Sequence, residues 1–215
     1  MRLAIGDIHG RAFWKHYLDR EAGEYYFLGD YFDSFDVPFE KQYGNFIDIC
    51  KTARKDPRIK LCLGNHDYHY LSGVTSQRYS GFQDRYFLRI NEALEENIDL
   101  MAIVRKTGGD FLISHAGVTN YFLKALELDD PEEINLAFKK NRDILNFNGD
   151  NIFGDDVTQS PIWIRPRSLR KDAVLGYNQI VGHTPVREID EIATLDGRNR
   201  LIFIDTHDSE SVLEF

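Results

Sequence analysis

The chain opens on an apolar run over residues 1–5 that stops at Gly6-Asp7, a pattern that predicts a short buried strand. Residues 13–21 then read as a helix. A second run, Tyr25-Tyr26-Phe27-Leu28, predicts another buried strand and stops at Gly29-Asp30. Over 39–53, the apolar positions Phe39, Tyr43, Phe46, Ile47 and Cys50 recur at three- and four-residue spacing, which predicts an amphipathic helix. Pro57 marks the break before a third strand over 59–63, which stops at Gly64-Asn65. Strands alternating with helices in this way predict an α/β sheet built from crossover units.

Residues 82–94 read as a further helix. The runs over 98–104 and 111–114, separated by Lys106-Thr107-Gly108-Gly109-Asp110, predict a β-hairpin. Helices are expected over 121–126 and 131–145, the second with Asp130 as N-cap and Pro131 in its first turn. Asn, Asp and Gly make 146–160 the longest expected loop. Strands resume over 179–181, 191–195 and 201–204, the last two joined by an Asp196-Gly197 turn. A length of 215 residues is compatible with a single domain over 1–215.

The polar residues fall in a pattern of their own. Five times a strand-like run stops at a small residue and then presents a metal-ligand type of side chain: Asp7, Asp30, Asn65, His115 and His183. In an α/β sheet the crevice beyond the carboxyl ends of the strands collects ligands, so residues far apart in sequence can converge there. Gly6-Asp7-Ile8-His9-Gly10 adds an imidazole two residues from its carboxylate, and Gly64-Asn65-His66-Asp67 adds an imidazole and a carboxylate after its amide. Mixed oxygen and nitrogen donors suit Mn, Fe, Zn and similar ions better than Ca or Mg.

Charge and cysteine content narrow the partners. Twenty-six basic against thirty-five acidic residues give a formal net charge of −9, which argues against a protein that coats nucleic acid but permits a small phosphorylated substrate. Cys50 and Cys62 have no zinc-ribbon or disulfide-framework spacing and read as reduced core residues. No leader-like start and no long apolar stretch is present, so no membrane partner is expected and the cytoplasm is the expected compartment.

The ordered series Gly6-Asp7-Ile8-His9-Gly10, Gly29-Asp30-Tyr31-Phe32-Asp33, Gly64-Asn65-His66-Asp67, His115-Ala116-Gly117 and Gly182-His183-Thr184-Pro185 resembles the calcineurin-like metallophosphoesterase superfamily. Its nearest branch holds the phosphoprotein phosphatases and the symmetrical diadenosine tetraphosphatases. The resemblance implies a sandwich of two mixed β-sheets flanked by helices, with two divalent metal ions at the strand ends. Manganese is the foremost expectation, with Fe, Zn, Ni or Co as others. By similarity Asp7 and His9 bind one ion, Asp30 bridges both, and Asn65, His115 and His183 hold the second. His66 matches the general acid and Asp67 the carboxylate that orients it. The implied reaction is in-line attack on phosphorus by a hydroxide shared between the ions, with no covalent phosphoenzyme.

The sequence departs from that family pattern in two places. Where the phosphatase branch continues to Asp-Arg-Gly, its arginine contacting phosphate, this chain reads Asp33-Ser34-Phe35. Ser34 is then the expected hydrogen-bonding substitute, and Arg165 in Trp163-Ile164-Arg165 the expected phosphate clamp, with Arg167 second. The usual closing run is altered to Asp205-Thr206-His207. The aromatic stretch over 31–39 either stacks a base, closes over substrate or packs, and His69 either lines the pocket or packs. The expected activity is phosphomonoester hydrolysis on a phosphorylated small molecule, nucleotide or phosphoprotein. Symmetrical dinucleoside polyphosphate hydrolysis is the alternative, and a catalytically idle metal-binding interaction module the remote one.

Overall fold

The computed structural model describes residues 1–74, 78–146, 153–206 and 210–215. His207 and residues 147–152 of the expected long loop lie outside them. The elements run β1 (Arg2–Ile5), α1 (Trp14–Leu18), β2 (Glu24–Phe27), α2 (Phe39–Lys55), β3 (Ile59–Cys62), α3 (Asn65–Tyr68), α4 (Phe87–Glu95), β4 (Met101–Ala102), β5 (Val104–Lys106) and β6 (Phe111–Ser114). They continue with α5 (Asn120–Ala125), α6 (Glu133–Lys140), α7 (Pro166–Asp172), β7 (Asn178–Val181), β8 (Asp190–Ala193), β9 (Arg200–Phe203) and β10 (Val212–Glu214).

Two mixed five-stranded sheets result, flanked by helices as expected. One has the order β10-β1-β2-β3-β4 and the other β5-β6-β7-β9-β8. β1 to β4 run parallel, as do β6, β7 and β9, while β10, β5 and β8 add antiparallel edges. Side chains alternate across each strand, so Ala4, Tyr26 and Cys62 meet Ile113, Ile180 and Ile202 between the sheets. Their neighbours Leu3, Ile5, Tyr25, Phe27 and Leu61 pack with Phe46, Ile49 and Cys50 of α2. Both faces of the central strands are therefore buried, which is why the strands read as continuous apolar runs.

Several elements differ from the sequence expectation. The strand expected over 98–104 is divided: a 3₁₀ turn at Ile98–Leu100 leads into β4 of one sheet, and β5 starts the other. Asn135 explains the division, because its Oδ1 accepts from the backbone N–H of Ile103 at 2.7 Å and of Val104 at 3.1 Å, taking donors a continuous ladder would use. The helix expected over 131–145 stops at Lys140, where Asn141 accepts from Asp143 N–H and opens a 3₁₀ turn. Asp130 does not cap α6; it accepts from Glu132 N–H and pairs with Lys106. The helix expected over 82–94 begins only at Phe87, after a 3₁₀ turn at Asp84–Tyr86. No hydrophobic periodicity in the sequence announces α3, α7 or β10. Among the described residues, no helix is long and apolar enough to cross a membrane.

Candidate metal centre

The parallel strands β1, β2 and β3 deliver Asp7, Asp30 and Asn65 at their carboxyl ends, and β6 and β7 deliver His115 and His183. All five side chains are buried. Asp7, Asp30 and His115 each offer a ligand atom within 4.8 Å of the others. Asp7, His9, Asp30, Asn65, His66 and His183 line a cleft of about 440 Å³.

The hydrogen bonds around the imidazoles determine which nitrogen each presents. His9 Nδ1 lies 2.7 Å from the Phe32 carbonyl and His115 Nδ1 lies 3.0 Å from the Leu28 carbonyl. His183 is held the other way round, its Nε2 lying 3.2 Å from the Trp163 carbonyl. A carbonyl only accepts, so each of these nitrogens carries the proton and the opposite nitrogen keeps a lone pair. His115 Nε2 and His183 Nδ1 each sit 2.9 Å from Asn65 Oδ1, and His115 Nε2 sits 3.3 Å from Asp30 Oδ2. Acceptors facing acceptors in a buried site call for a cation between them. Asn65 Nδ2, on the far side of the same amide, is buried without a hydrogen-bond partner. The residues present therefore fit a divalent metal.

Electrostatics agree. Burial, together with the charges of Asp205 and Asp30, pushes the Asp7 carboxyl well above the usual range, so this corner lacks positive charge. Burial also acts on Asp30, but the imidazoles around it, His115 first and then His66 and His9, outweigh it and hold that carboxyl well below its usual value. Burial, followed by His115 and Arg165, keeps His183 neutral, as a metal ligand must be.

The backbone stores strain at this site. Among the described residues, five non-glycines have positive φ: His9, Asp30, Asp33, His183 and Glu127. Four of these belong to the cleft. Such conformations cost on the order of 1–3 kcal/mol each and persist where the surroundings impose them. Two of the glycines before the ligands, Gly64 and Gly182, serve as space. A Cβ on Gly64 would stand 2.1 Å from Asp30 Oδ1, and one on Gly182 would stand 2.0 Å from Asp7 Oδ1. His66 N–H then donates to Asp30 Oδ1 at 2.9 Å, and His183 N–H donates to both oxygens of Asp7 at 3.1 Å.

The carboxylate that meets His66 is not the expected one. Asp67 accepts from the backbone N–H groups of Asp30, Tyr31 and Gly64 at 2.8–3.0 Å, and so ties two ligand loops together from beneath. His66 Nδ1 instead lies 3.0 Å from Oδ2 of Asp33. Asp33 also accepts from Tyr70 Oη at 2.6 Å and Gln83 Nε2 at 3.2 Å, and its Oδ2 lies 2.7 Å from His69 Nε2. His69, whose Nδ1 accepts from Tyr79 N–H, packs behind this carboxylate. Burial disfavours the His66 imidazolium, yet the Asp30 charge and the Asp33 contact outweigh it and raise its pKa. Asp33 was visible in the Asp30-x-x-Asp33 spacing; nothing in the sequence showed that it faces His66.

The outer wall separates the remaining expectations. Arg165 lines the cleft, its Nη1 donating to Thr184 Oγ1 at 3.2 Å and its guanidinium lying 5.1 Å from the Trp163 ring centre. Arg167 is exposed and does not line it. Ser34 lines the cleft, but its hydroxyl donates to Asp36 Oδ1 at 2.7 Å and accepts from Val37 N–H at 3.2 Å. A phosphate oxygen needs a donor, and the one proton of Ser34 is committed to Asp36. Of the aromatic stretch over 31–39, Tyr31, Phe32 and Phe39 are core residues, while Phe35 is 83% exposed on the rim. Arg11 and Asp205, neither among the expected site residues, also line the cleft. Asp205 follows the end of β9 and is thus a further strand-end carboxylate.

Over residues 2–202 the sequence matches the family described as calcineurin-like phosphoesterase. No curated protein sequence matches the chain. Among solved structures it is similar to the cold-active protein-tyrosine phosphatase of a psychrophilic Shewanella species, with a TM-score of 0.65 and 16% identity over 99% of this chain and 75% of that one. It is also similar to a protein serine/threonine phosphatase from Saccharomyces cerevisiae, with a TM-score of 0.50 and 17% identity over 94% of this chain and 66% of that one. At these identities the likeness is one of fold.

Proposed function

The chain belongs to the calcineurin-like phosphoesterase family, and from that premise we propose that it is a dinuclear metal-dependent phosphatase that releases inorganic phosphate from phosphomonoesters. Asp7 and His9 would hold one ion, Asn65, His115 and His183 the other, and Asp30 would be shared by both. The observation that carries the reading is the buried convergence of Asp30 Oδ2, Asn65 Oδ1, His115 Nε2 and His183 Nδ1, acceptors with a cation's place among them. Bound there, two divalent ions would supply Lewis acidity toward the phosphoryl group and activate a water as nucleophile.

The chain's own residues do the rest. Asp33 anchors Nδ1 of His66, leaving Nε2 to present a proton to the leaving oxygen. The raised pKa of His66 keeps that proton available near neutral pH. Arg165 binds a phosphate oxygen from the opposite wall of the cleft. Asp67 fixes the Asp30 and Gly64 loops against each other and so sets the ligand geometry.

Incubating Mn-loaded protein with para-nitrophenyl phosphate, a phosphopeptide and diadenosine tetraphosphate, then resolving the products, tests the reading. Release of inorganic phosphate from either of the first two is expected. Phe35, exposed at the rim, favours one further reading, in which a nucleobase stacks there and a dinucleoside polyphosphate is cleaved symmetrically. Release of ADP alone from diadenosine tetraphosphate selects it. Inactivity toward all three contradicts both.

A further inference from the structure

Among the described residues lining the cleft, two carry a guanidinium, Arg165 and Arg11. They stand on different walls. Arg165 precedes α7, beside the outer face of the second sheet, whereas Arg11 follows the β1 ligand loop of the first. The Arg11 backbone is fixed: its N–H donates to the Ile8 carbonyl at 2.8 Å, and its own carbonyl accepts from Asn45 Nδ2 of α2 at 3.0 Å. That mount is one residue from Gly10 and two from His9, so the guanidinium is carried by the loop that presents a metal ligand.

What holds the guanidinium is weak. Its Nη2 lies 3.5 Å from Asp36 Oδ1, and the Asp36 side chain is 71% exposed. An ion pair at that distance, half-buried on the arginine's side and exposed on the aspartate's, exchanges for a better anion. The same Asp36 oxygen accepts the Ser34 proton, so Asp36 ties together the residue standing at the missing arginine's position and the nearest guanidinium on that wall.

We propose that Arg11 binds the substrate's phosphate opposite Arg165, supplying the guanidinium that position 34 lacks, and that Asp36 holds Arg11 at the rim until phosphate displaces it. A planar guanidinium grips two phosphate oxygens at once, which the Ser34 hydroxyl cannot. The proposal rests on the phosphoesterase reading and adds to it the residue that grips the phosphate from the first sheet's wall.

Calorimetric titration of inorganic phosphate into Mn-loaded protein tests it, alongside steady-state kinetics on para-nitrophenyl phosphate. Arg11→Ala and Arg11→Gln should raise the phosphate Kd and the KM by at least about tenfold, the loss expected for a charge-assisted contact, with metal content and Tm unchanged. Arg11→Lys should recover part of the loss. Asp36→Ala should lower the phosphate Kd about two- to fivefold, because a surface competitor is removed. Wild-type binding and turnover with unchanged Kd in both Arg11→Ala and Arg11→Gln overturns this proposal alone. A wild-type protein that neither binds phosphate nor turns over contradicts the phosphoesterase reading and this proposal with it.

Discussion

His66 Nδ1 lies 3.0 Å from Asp33 Oδ2, while Asp67, its neighbour in the chain, faces away toward three backbone amides. The cause is local. Asn65–Tyr68 is a turn of helix, α3, and successive side chains in a helix diverge by about 100°. Asn65 therefore points to the ligands, His66 to the cleft and Asp67 to the loops beneath, and the partner of His66 has to come from another element.

Exchanging each carboxylate for its amide separates their roles. Asp33→Asn should lower kcat by about 10²–10³, the scale of an impaired general acid, with metal content close to wild type. Asp67→Asn places an NH₂ against backbone N–H donors and should destabilise the fold by about 1–3 kcal/mol, read as a lowered Tm. The reverse pattern would restore Asp67 as the partner of His66.

The leaving group reports on His66 directly. His66→Asn should keep its metals and most of its activity on para-nitrophenyl phosphate, whose leaving group needs little protonation, yet lose about 10²-fold or more on an alkyl phosphate. Equal losses on both substrates would argue against a proton-donor role.

Gly64 and Gly182 leave room for the ligand carboxylates rather than for a turn. Alanine at either position would place a Cβ 2.1 Å from Asp30 Oδ1 or 2.0 Å from Asp7 Oδ1. Each variant should keep its circular dichroism spectrum and bind Mn at least about tenfold more weakly, since a ligand displaced by about an ångström loses its geometry. Unchanged metal affinity would show that the carboxylates are not ligands.

Much of this site was legible because the ligand-bearing loops follow buried strands whose apolar runs stop abruptly, as at Ile5-Gly6-Asp7 and Val181-Gly182-His183. Contacts between loops were not legible. Nothing near Asp33 in sequence announces His66, Tyr70 and Gln83, and nothing at Arg11 announces the cleft. The strand over 98–104 misled because its apolar pattern continues across Ile103, while the amide that divides it belongs to Asn135 on α6. Edge strand β10 has two half-buried residues and one exposed, and so lacks the strong apolar signal of the central strands.

The two thiols give a pH test apart from the metal centre. Burial pushes both Cys50 and Cys62 up to about 12, so neither should react with a thiol reagent at pH 8 until the chain unfolds. In the unfolded chain a thiol ionises near 8.5, and ionisation then favours unfolding. Stability should accordingly be full below about pH 8.5 and decline from there toward 12, and Cys50→Ala with Cys62→Ala should flatten that decline. An unaltered slope in the double variant would contradict the burial account.

Anomalous diffraction from crystals of the Mn-loaded protein tests the central claim most directly. The account predicts two manganese peaks in the cleft, one against Asp7 and His9, the other against Asn65, His115 and His183, with Asp30 touching both. A single peak, or peaks held by other residues, would contradict it.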